Sequence, residues 1–464
     1  MSPHDDLGQP VHCRELTSGA QHTGILTIGS DNISLDIFGY ETKFIQIDHK
    51  APIHVQTQNL NIASLHWNAT TRSGRNGKSS DDPRFRTVYR HSFSCSAAVI
   101  GADPWLTSDL INVAKFELDG FDYILENIDR TEQISRSEPS QEFKQKLFAT
   151  TVGNVEFSIL YDVTYSIFQP FPTQIRPTVV LRFSEGETLQ TYLKFATAFT
   201  QLISASTGLA TFPKNIFIGR PTLDSADDAL DGNKATHLVR YIWPHTDNAS
   251  STSILLTAND DEISTFSACL SRWIDRYDQW SGAYALFVKS RLMANRIDAE
   301  RLLNACRLFE EIPLTETKRI IPSNDVESIA KAAAMKAAEL GHDNIHHRIL
   351  GALRNISSET RKDKIDRLIA MMRGRFGQSI LPDDIFEDIA QADKLRNKAA
   401  HGHLSGESDE EFKQLSTSVY AMEAFCLLAI FLDMPLKKDG HWRLTSHPTL
   451  EQYNAAVASR VSKD

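Results

Sequence analysis

LPDDIFEDIAQADKLRNKAAHG, residues 381 to 402, reads as one helix and decides how the C-terminal part of the chain folds. Pro382 opens it, Asp383 and Asp384 stand near the positive end of its dipole, and Gly402 suits a left-handed stop just past its last turn. Ile385, Ile389, Ala392 and Ala399 mark an apolar stripe. At about 100° per residue, Arg396 falls on the centre of that stripe, one turn beyond Ala392 and two beyond Ile389. The pattern predicts a guanidinium carried into the protein. Such a cation needs a carboxylate, an interface or an anionic ligand. Asn397 follows it directly, and His401 lies against the glycine stop.

An Arg with a His a few residues later says little alone. Arg86 to His91 and Arg240 to His245 share the spacing, but the first lies in the strand-like run FRTVYRHSF and the second includes Pro244, which excludes an ordinary helix interior. Context separates Arg396 from both: a stopped helix, an inward-facing cation, an adjoining amide and a His at the helix end.

The helical pattern extends outward from this segment. DDEISTFSACLSRWIDRYDQWSGAYALFVKSRLM, DAERLLNACRLFEEI, SNDVESIAKAAAMKAAELG, IHHRILGALRNIS, KDKIDRLIAMMRGRF and DEEFKQLSTSVYAMEAFCLLAIFLDM all carry helical periodicity and predict a bundle. Ser323 and Asp325 are cap candidates for the third of these and Gly341 its stop. SVYAMEAFCLLAIFLDM contains Glu423 and Asp433 and falls short of the ~20 apolar residues a membrane span needs, so a core helix is expected. The tail from Lys437 reads as polar and loosely docked.

Residues 22 to 245 look different. ILTI, ISLDIFGY, KFIQI, NIASLHW, FRTVYRHSFSCSAAVI, FDYILE, VEFSILYDVTYSIF, TVVLRF, NIFIGR and HLVRYIW are short β-branched or aromatic runs between turn formers, hence strands. GETLQTYLKFATAFTQLISASTGL is a helical interruption that should end near Gly208 and pack on a sheet. Residues 70 to 83 and 222 to 234 read as loops. The fold class expected is α+β, with a β-rich domain over residues 1–255 and an all-helical domain over 256–464.

A chain of 464 residues with 41% hydrophobic and 23% charged content fits a globular protein of two or three domains. Its formal charge of −10 gives no general attraction for nucleic acid, so any RNA contact needs a local basic surface. Residues 341 to 376 offer eight cations against four carboxylates, with Arg361, Lys362, Lys364 and Arg367 as candidate RNA-binding residues. Five scattered cysteines without a CxxC spacing argue against a disulfide framework or structural zinc. His342, His346 and His347 include an i, i+4 pair, yet no carboxylate or Cys completes a ligand set in register, so neither metal nor cofactor is expected. The first residues lack a basic segment followed by an apolar core, and a cytoplasmic protein without membrane association is expected.

RNxxxH at the end of a helix, within an all-helical C-terminal region, resembles the HEPN domain, whose Arg, four to six residues, His signature marks metal-independent ribonucleases. The likeness spans roughly residues 256 to 435. A strand-rich N-terminal half beginning TGILTIGSDNISLDIFGYETKF, joined to such a domain, resembles the ApeA family of bacterial anti-phage proteins. The resemblance implies an HEPN-like bundle acting as an endoribonuclease in abortive infection, with RNA (tRNA among the candidates) as substrate and 2′,3′-cyclic phosphate and 5′-hydroxyl ends as products. It also implies a homodimer or higher homo-oligomer and a phage-encoded trigger protein. Arg396 then supplies planar, forked phosphate binding, and His401 serves as base or acid, an imidazole being poised at about 6.5 when unperturbed. Asn397 orients the His or the phosphate. Glu310 and Glu311 are the carboxylates expected to face the Arg, Asp393 is the local alternative, and His403 matches the signature at a longer spacing. A second reading is a non-catalytic HEPN-type dimerisation scaffold carrying a reader of ligands or phage proteins.

Overall fold

The computed structural model describes residues 10–16, 22–29, 33–39, 52–57, 61–66, 72–76, 88–95, 97–118, 146–165, 172–220, 237–241, 255–256, 262–315, 319–342, 345–402, 404, 408–437 and 440–461. Strands fill the N-terminal half and helices the C-terminal half, as the periodicities require. The described chain forms two compact units. One comprises residues 1–203, 211–250 and 256–275, the other residues 204–210, 251–255 and 276–464.

The first unit is built on one sheet. Its strands are β1 (Val11–Glu15), β2 (His22–Ile28), β3 (Ile33–Gly39), β4 (Ile53–Thr57), β5 (Ile62–His66), β6 (Arg72–Asn76), β7 (Val88–Cys95), β8 (Ala97–Gly101), β9 (Ile111–Leu118), β10 (Lys146–Val152), β11 (Val155–Tyr165), β12 (Pro172–Glu187), β13 (Pro213–Gly219) and β14 (His237–Tyr241). They run in the order β10-β11-β12-β9-β13-β14-β8-β5-β4-β1-β2-β3-β7-β6, and the described pairings are antiparallel. Period-two burial explains one core: Leu26 and Ile28, Ile33, Leu35 and Ile37, Ile53 and Val55, and Ala63 and Leu65 pack together. Helix α1 (Leu189–Thr207) lays Phe195 and Phe199 on Phe157, with ring centroids 6.0 and 6.2 Å apart. Gly208, at φ +71°, stops it as expected, because a left-handed residue there costs least without a Cβ.

Three expectations change here. Residues 72–76, read as loop, are strand β6, because β7 offers its backbone a ladder that outweighs polar composition. KFIQI, FDYILE and residues 222 to 234 lie outside the described residues. Helix α2 (Ile263–Asp275), read with the helical region, belongs to the sheet unit, where Phe266 meets Phe148 at 5.4 Å and Phe199 at 6.3 Å. The long helix read from residue 260 onward breaks at Arg276, whose guanidinium turns onto Trp280 at 4.1 Å and donates to the Tyr284 hydroxyl at 2.6 Å.

The second unit holds α3 (Tyr277–Leu292), α4 (Ala299–Glu311), α5 (Ser323–Glu339), α6 (His346–Ile356), α7 (Arg361–Phe376), α8 (Ile385–Ala400), α9 (Asp409–Phe431), α10 (Gly440–Thr445) and α11 (Pro448–Val461). No side-chain cap is made by Ser323 or Asp325; Pro322 takes the cap position of α5, and Gly341 at φ +82° ends that segment. Helix α9 is the core of this unit. It is long and apolar enough to cross a membrane, but its apolar run from Val419 to Phe431 is buried in the protein apart from Tyr420. Its one buried acid, Glu423, accepts a fork from Arg301 at 2.8 and 2.7 Å, a third bond from Arg291 at 3.3 Å and the Ser290 hydroxyl. Arg301 donates its remaining contacts to the Ala294 and Arg296 carbonyls, and Arg291 donates to that of Gly208 at 2.6 Å, so these enclosed charges are both paired and hydrogen-bonded.

The tail is docked rather than loose. Leu444 of α10 and Leu450 and Tyr453 of α11 are buried, the last two spaced three residues apart on one helix face that the polar composition of the segment conceals. His447 is buried with them, accepting from the Thr449 amide at Nδ1 and donating from Nε2 to the Ala205 carbonyl at 3.0 Å. Burial, helped by the nearby Arg291 charge, pushes its pKa down to about 3. Between that value and the unfolded ~6.5 the unfolded chain binds the extra proton, so this group's contribution to stability is complete above pH 6.5 and is lost as pH falls, by up to about 1.4 kcal/mol per unit. Urea midpoints at pH 7.5 and pH 5 should therefore differ less in His447→Gln than in the wild type; an equal difference would remove His447 as an acid-sensitive lock.

Candidate active site at the end of helix α8

Helix α8 begins at Ile385, three residues after Pro382, and ends at Ala400, with His401 at its C-cap and Gly402 beyond it at φ +71°. Its buried positions are Ile385, Asp388, Ile389, Ala392 and Leu395. The stripe therefore runs through Leu395, three residues after Ala392, and Arg396 stands on its flank with 36% of the side chain exposed. The expectation of a buried Arg396 is corrected on this point. Leu395 takes the core position because a leucine gains from burial what a guanidinium would lose. At the other end of the helix, Asp388 is drawn inward by Tyr453, at 2.8 Å, and by Arg460.

Arg396 nevertheless has the carboxylate predicted for it. Its two terminal nitrogens donate to Glu310 on α4, at 2.6 and 3.4 Å. Glu311 is outside this contact; it lies 3.9 Å from Arg307, on its own helix, and close over Gly282. Asp393 does not take Arg396 either but accepts from Arg361 at 2.5 Å, and Arg361 also comes to 3.9 Å from Glu310. The Arg361 guanidinium lies 4.6 Å above the Phe309 ring. Two arginines and two carboxylates from α4, α7 and α8 thus form one cluster. Burial raises the pKa of Asp393, and the neighbouring Arg361 works against that shift. Cys306 lies beneath, its thiol pushed up to about 12 chiefly by burial, so it is a packed thiol rather than a nucleophile.

Local sequence explains how Arg361 arrives there. Thr360 accepts from the Asp363 amide and Asp363 accepts from the Thr360 amide, a reciprocal cap that fixes the start of α7 and makes Arg361 its first residue. The sequence contains that capping pair, but nothing in its periodicity assigns Arg361 to the cluster around Arg396. The rest of the basic stretch is largely tied down. Arg367 forks onto Glu359 at 2.8 and 3.0 Å, Arg373 reaches the Pro382 carbonyl and Asp383, and Arg375 donates to the Met434 carbonyl at 3.1 Å. Lys362 is exposed, its ammonium 5.3 Å over the Phe386 ring, and Lys364 is half-buried. Of the four candidate RNA contacts, the two arginines are thus already engaged within the protein.

Asn397 and His401 are exposed at the end of α8, beside the exposed Lys394 and Lys398. His403 lies outside the described residues. Five positions separate Arg396 from His401, a rotation of about 140° and a rise of about 7.5 Å, so the two residues sit on different sides of the helix end. Of the other two Arg-to-His spacings, His91 lies in β7 and Arg240 in β14, while Arg86 and His245 lie outside the described residues. His346 and His347 stack edge to face at 5.7 Å, and no group of His, Cys, Asp or Glu among the described residues is arranged to hold a metal. No family model, curated protein or solved structure matches this chain.

Proposed function

We propose that the helical unit is a metal-independent endoribonuclease of the HEPN kind, an effector of cytoplasmic anti-phage defence, and that the sheet unit senses infection or restrains it. The observation that carries this reading is the placement of the half-exposed Arg396 at the same helix end as the exposed Asn397 and His401. Arg396 would bind the scissile phosphate, His401 would move the proton of the 2′-hydroxyl or of the leaving 5′ oxygen, and Asn397 would orient either partner. A single His cannot be positioned for both proton transfers at once. Two copies meeting at this helix end would supply the second imidazole, which is the reason for proposing a homodimer. The expected products are 2′,3′-cyclic phosphate and 5′-hydroxyl ends.

A non-catalytic dimerisation scaffold is the second reading, and the direct Arg396 to Glu310 ion pair favours it. Arg396→Lys separates the two. Under the nuclease reading the point charge loses the fork, and cleavage of total cellular RNA drops by about tenfold or more, the effect of one charge-assisted contact. Full cleavage by the Lys protein would make Arg396 structural. A fully active monomer in sedimentation at micromolar concentration would remove the composite site.

A further inference from the structure

Glu310 sets one carboxylate between two guanidinium groups. Arg396 donates to both of its oxygens, at 2.6 and 3.4 Å, and Arg361, from another helix, lies 3.9 Å from Oε1. Arg361 is itself held by Asp393 at 2.5 Å, while its Nε is enclosed without a hydrogen-bond partner. Converging planar donors are how arginines grip a phosphate, and a carboxylate carries the same single charge as a phosphodiester. All four side chains stay open to solvent, with 34% of Arg361, 36% of Arg396, 42% of Glu310 and 29% of Asp393 exposed. A glutamate that exposed can rotate away without disturbing the core. Asp393 is the less exposed acid, and it anchors Arg361 by its own contact.

We propose that Arg361 and Arg396 form one phosphodiester-binding pair, and that the Glu310 carboxylate occupies it in the resting protein as a competitor of the RNA phosphate. The identity of the ligand rests on the ribonuclease reading; the competition does not. With Glu310 turned outward, a phosphodiester would restore the charge balance of the cluster and could accept from Arg396 and from the Arg361 Nη1 that now lies 3.9 Å from Glu310. Arg361 therefore enters as a second phosphate ligand that the Arg396 to His401 motif does not contain.

The test measures binding rather than cleavage. In a His401→Ala background, a fluorescein-labelled single-stranded RNA is titrated at low salt and followed by anisotropy, with inorganic phosphate as competitor. Glu310→Gln should tighten binding about tenfold, the effect of freeing one charge-assisted contact, and phosphate should compete more strongly. Glu310→Asp, which keeps the charge but shortens the reach, should fall between the two. Adding Arg361→Ala to Glu310→Gln should cancel the gain. Unchanged or weaker binding in Glu310→Gln would overturn the proposal and make Glu310 a positioning group for Arg396; a gain that survives Arg361→Ala would remove Arg361 from the pair. If Glu310→Gln fails to fold, Glu310→Asp decides alone, tighter binding supporting the competition and equal binding ending it. Absence of RNA cleavage by wild-type protein freed of any inhibitor would defeat the ribonuclease reading and leave these affinities standing.

Discussion

Glu423→Gln should lower the stability of the helical unit by about 3–5 kcal/mol, the usual cost of leaving a buried counterion without its partner. Glu423 and the Arg301 side chain are fully enclosed, Arg291 is nearly so, and both guanidiniums depend on this one carboxylate for charge balance. The amide keeps the shape and some hydrogen bonds but removes the charge, so two buried cations would face one another. Chemical unfolding followed by helical circular dichroism measures the loss. A change below about 1 kcal/mol, the range of exposed ion pairs, would mean that water reaches the cluster. Replacing all three charged residues by apolar ones of similar volume need not be costly, because it is the broken pair that destabilises.

His401→Ala should reduce RNA cleavage by about 10²–10⁴-fold, the typical contribution of a general acid or base, while shifting stability by no more than about 0.5 kcal/mol. The second half of that expectation follows from the exposure of His401 at the C-cap of α8, past the last buried position at Leu395. Equal loss of activity and of folded protein would assign His401 to structure. Retained cleavage in a stable protein would transfer the proton chemistry to another residue, and His403 would then be the next to replace.

The order of elements was legible because hydrophobic periodicity is local. The α8 segment, its glycine stop and the α1 helix ending at Gly208 follow from spacing and from the conformational freedom of glycine. That Glu310 or Glu311 would face Arg396 was read from resemblance to a family with an acid on an early helix, and the geometry selects Glu310. What one segment's periodicity could not show is which of two adjacent residues wins the core, and Leu395 displaced Arg396 by a rotation of about 100°. Nor could it show that Arg361 and Arg367, read as a basic surface, are claimed by Asp393 on α8 and by Glu359 just before α7. The unit boundary was similarly hidden. A cut after residue 250 separates the pattern-defined halves, yet it removes Ala205 and Gly208, whose carbonyls receive His447 and Arg291 of the helical unit. A helical fragment starting at residue 251 should therefore be less stable than the same unit in the full chain.

Metal-independent cleavage of RNA by 2′-hydroxyl attack at the Arg396 to His401 helix end is decided by the chemistry of the fragment ends. Purified full-length protein incubated with total cellular RNA in excess EDTA, followed by analysis of the fragment ends, tests it most directly. The fragments should end in 2′,3′-cyclic phosphate, begin with 5′-hydroxyl and be absent with the His401→Ala protein. RNA left intact by protein freed of any inhibitor, or fragments with 3′-hydroxyl and 5′-phosphate ends, would contradict it.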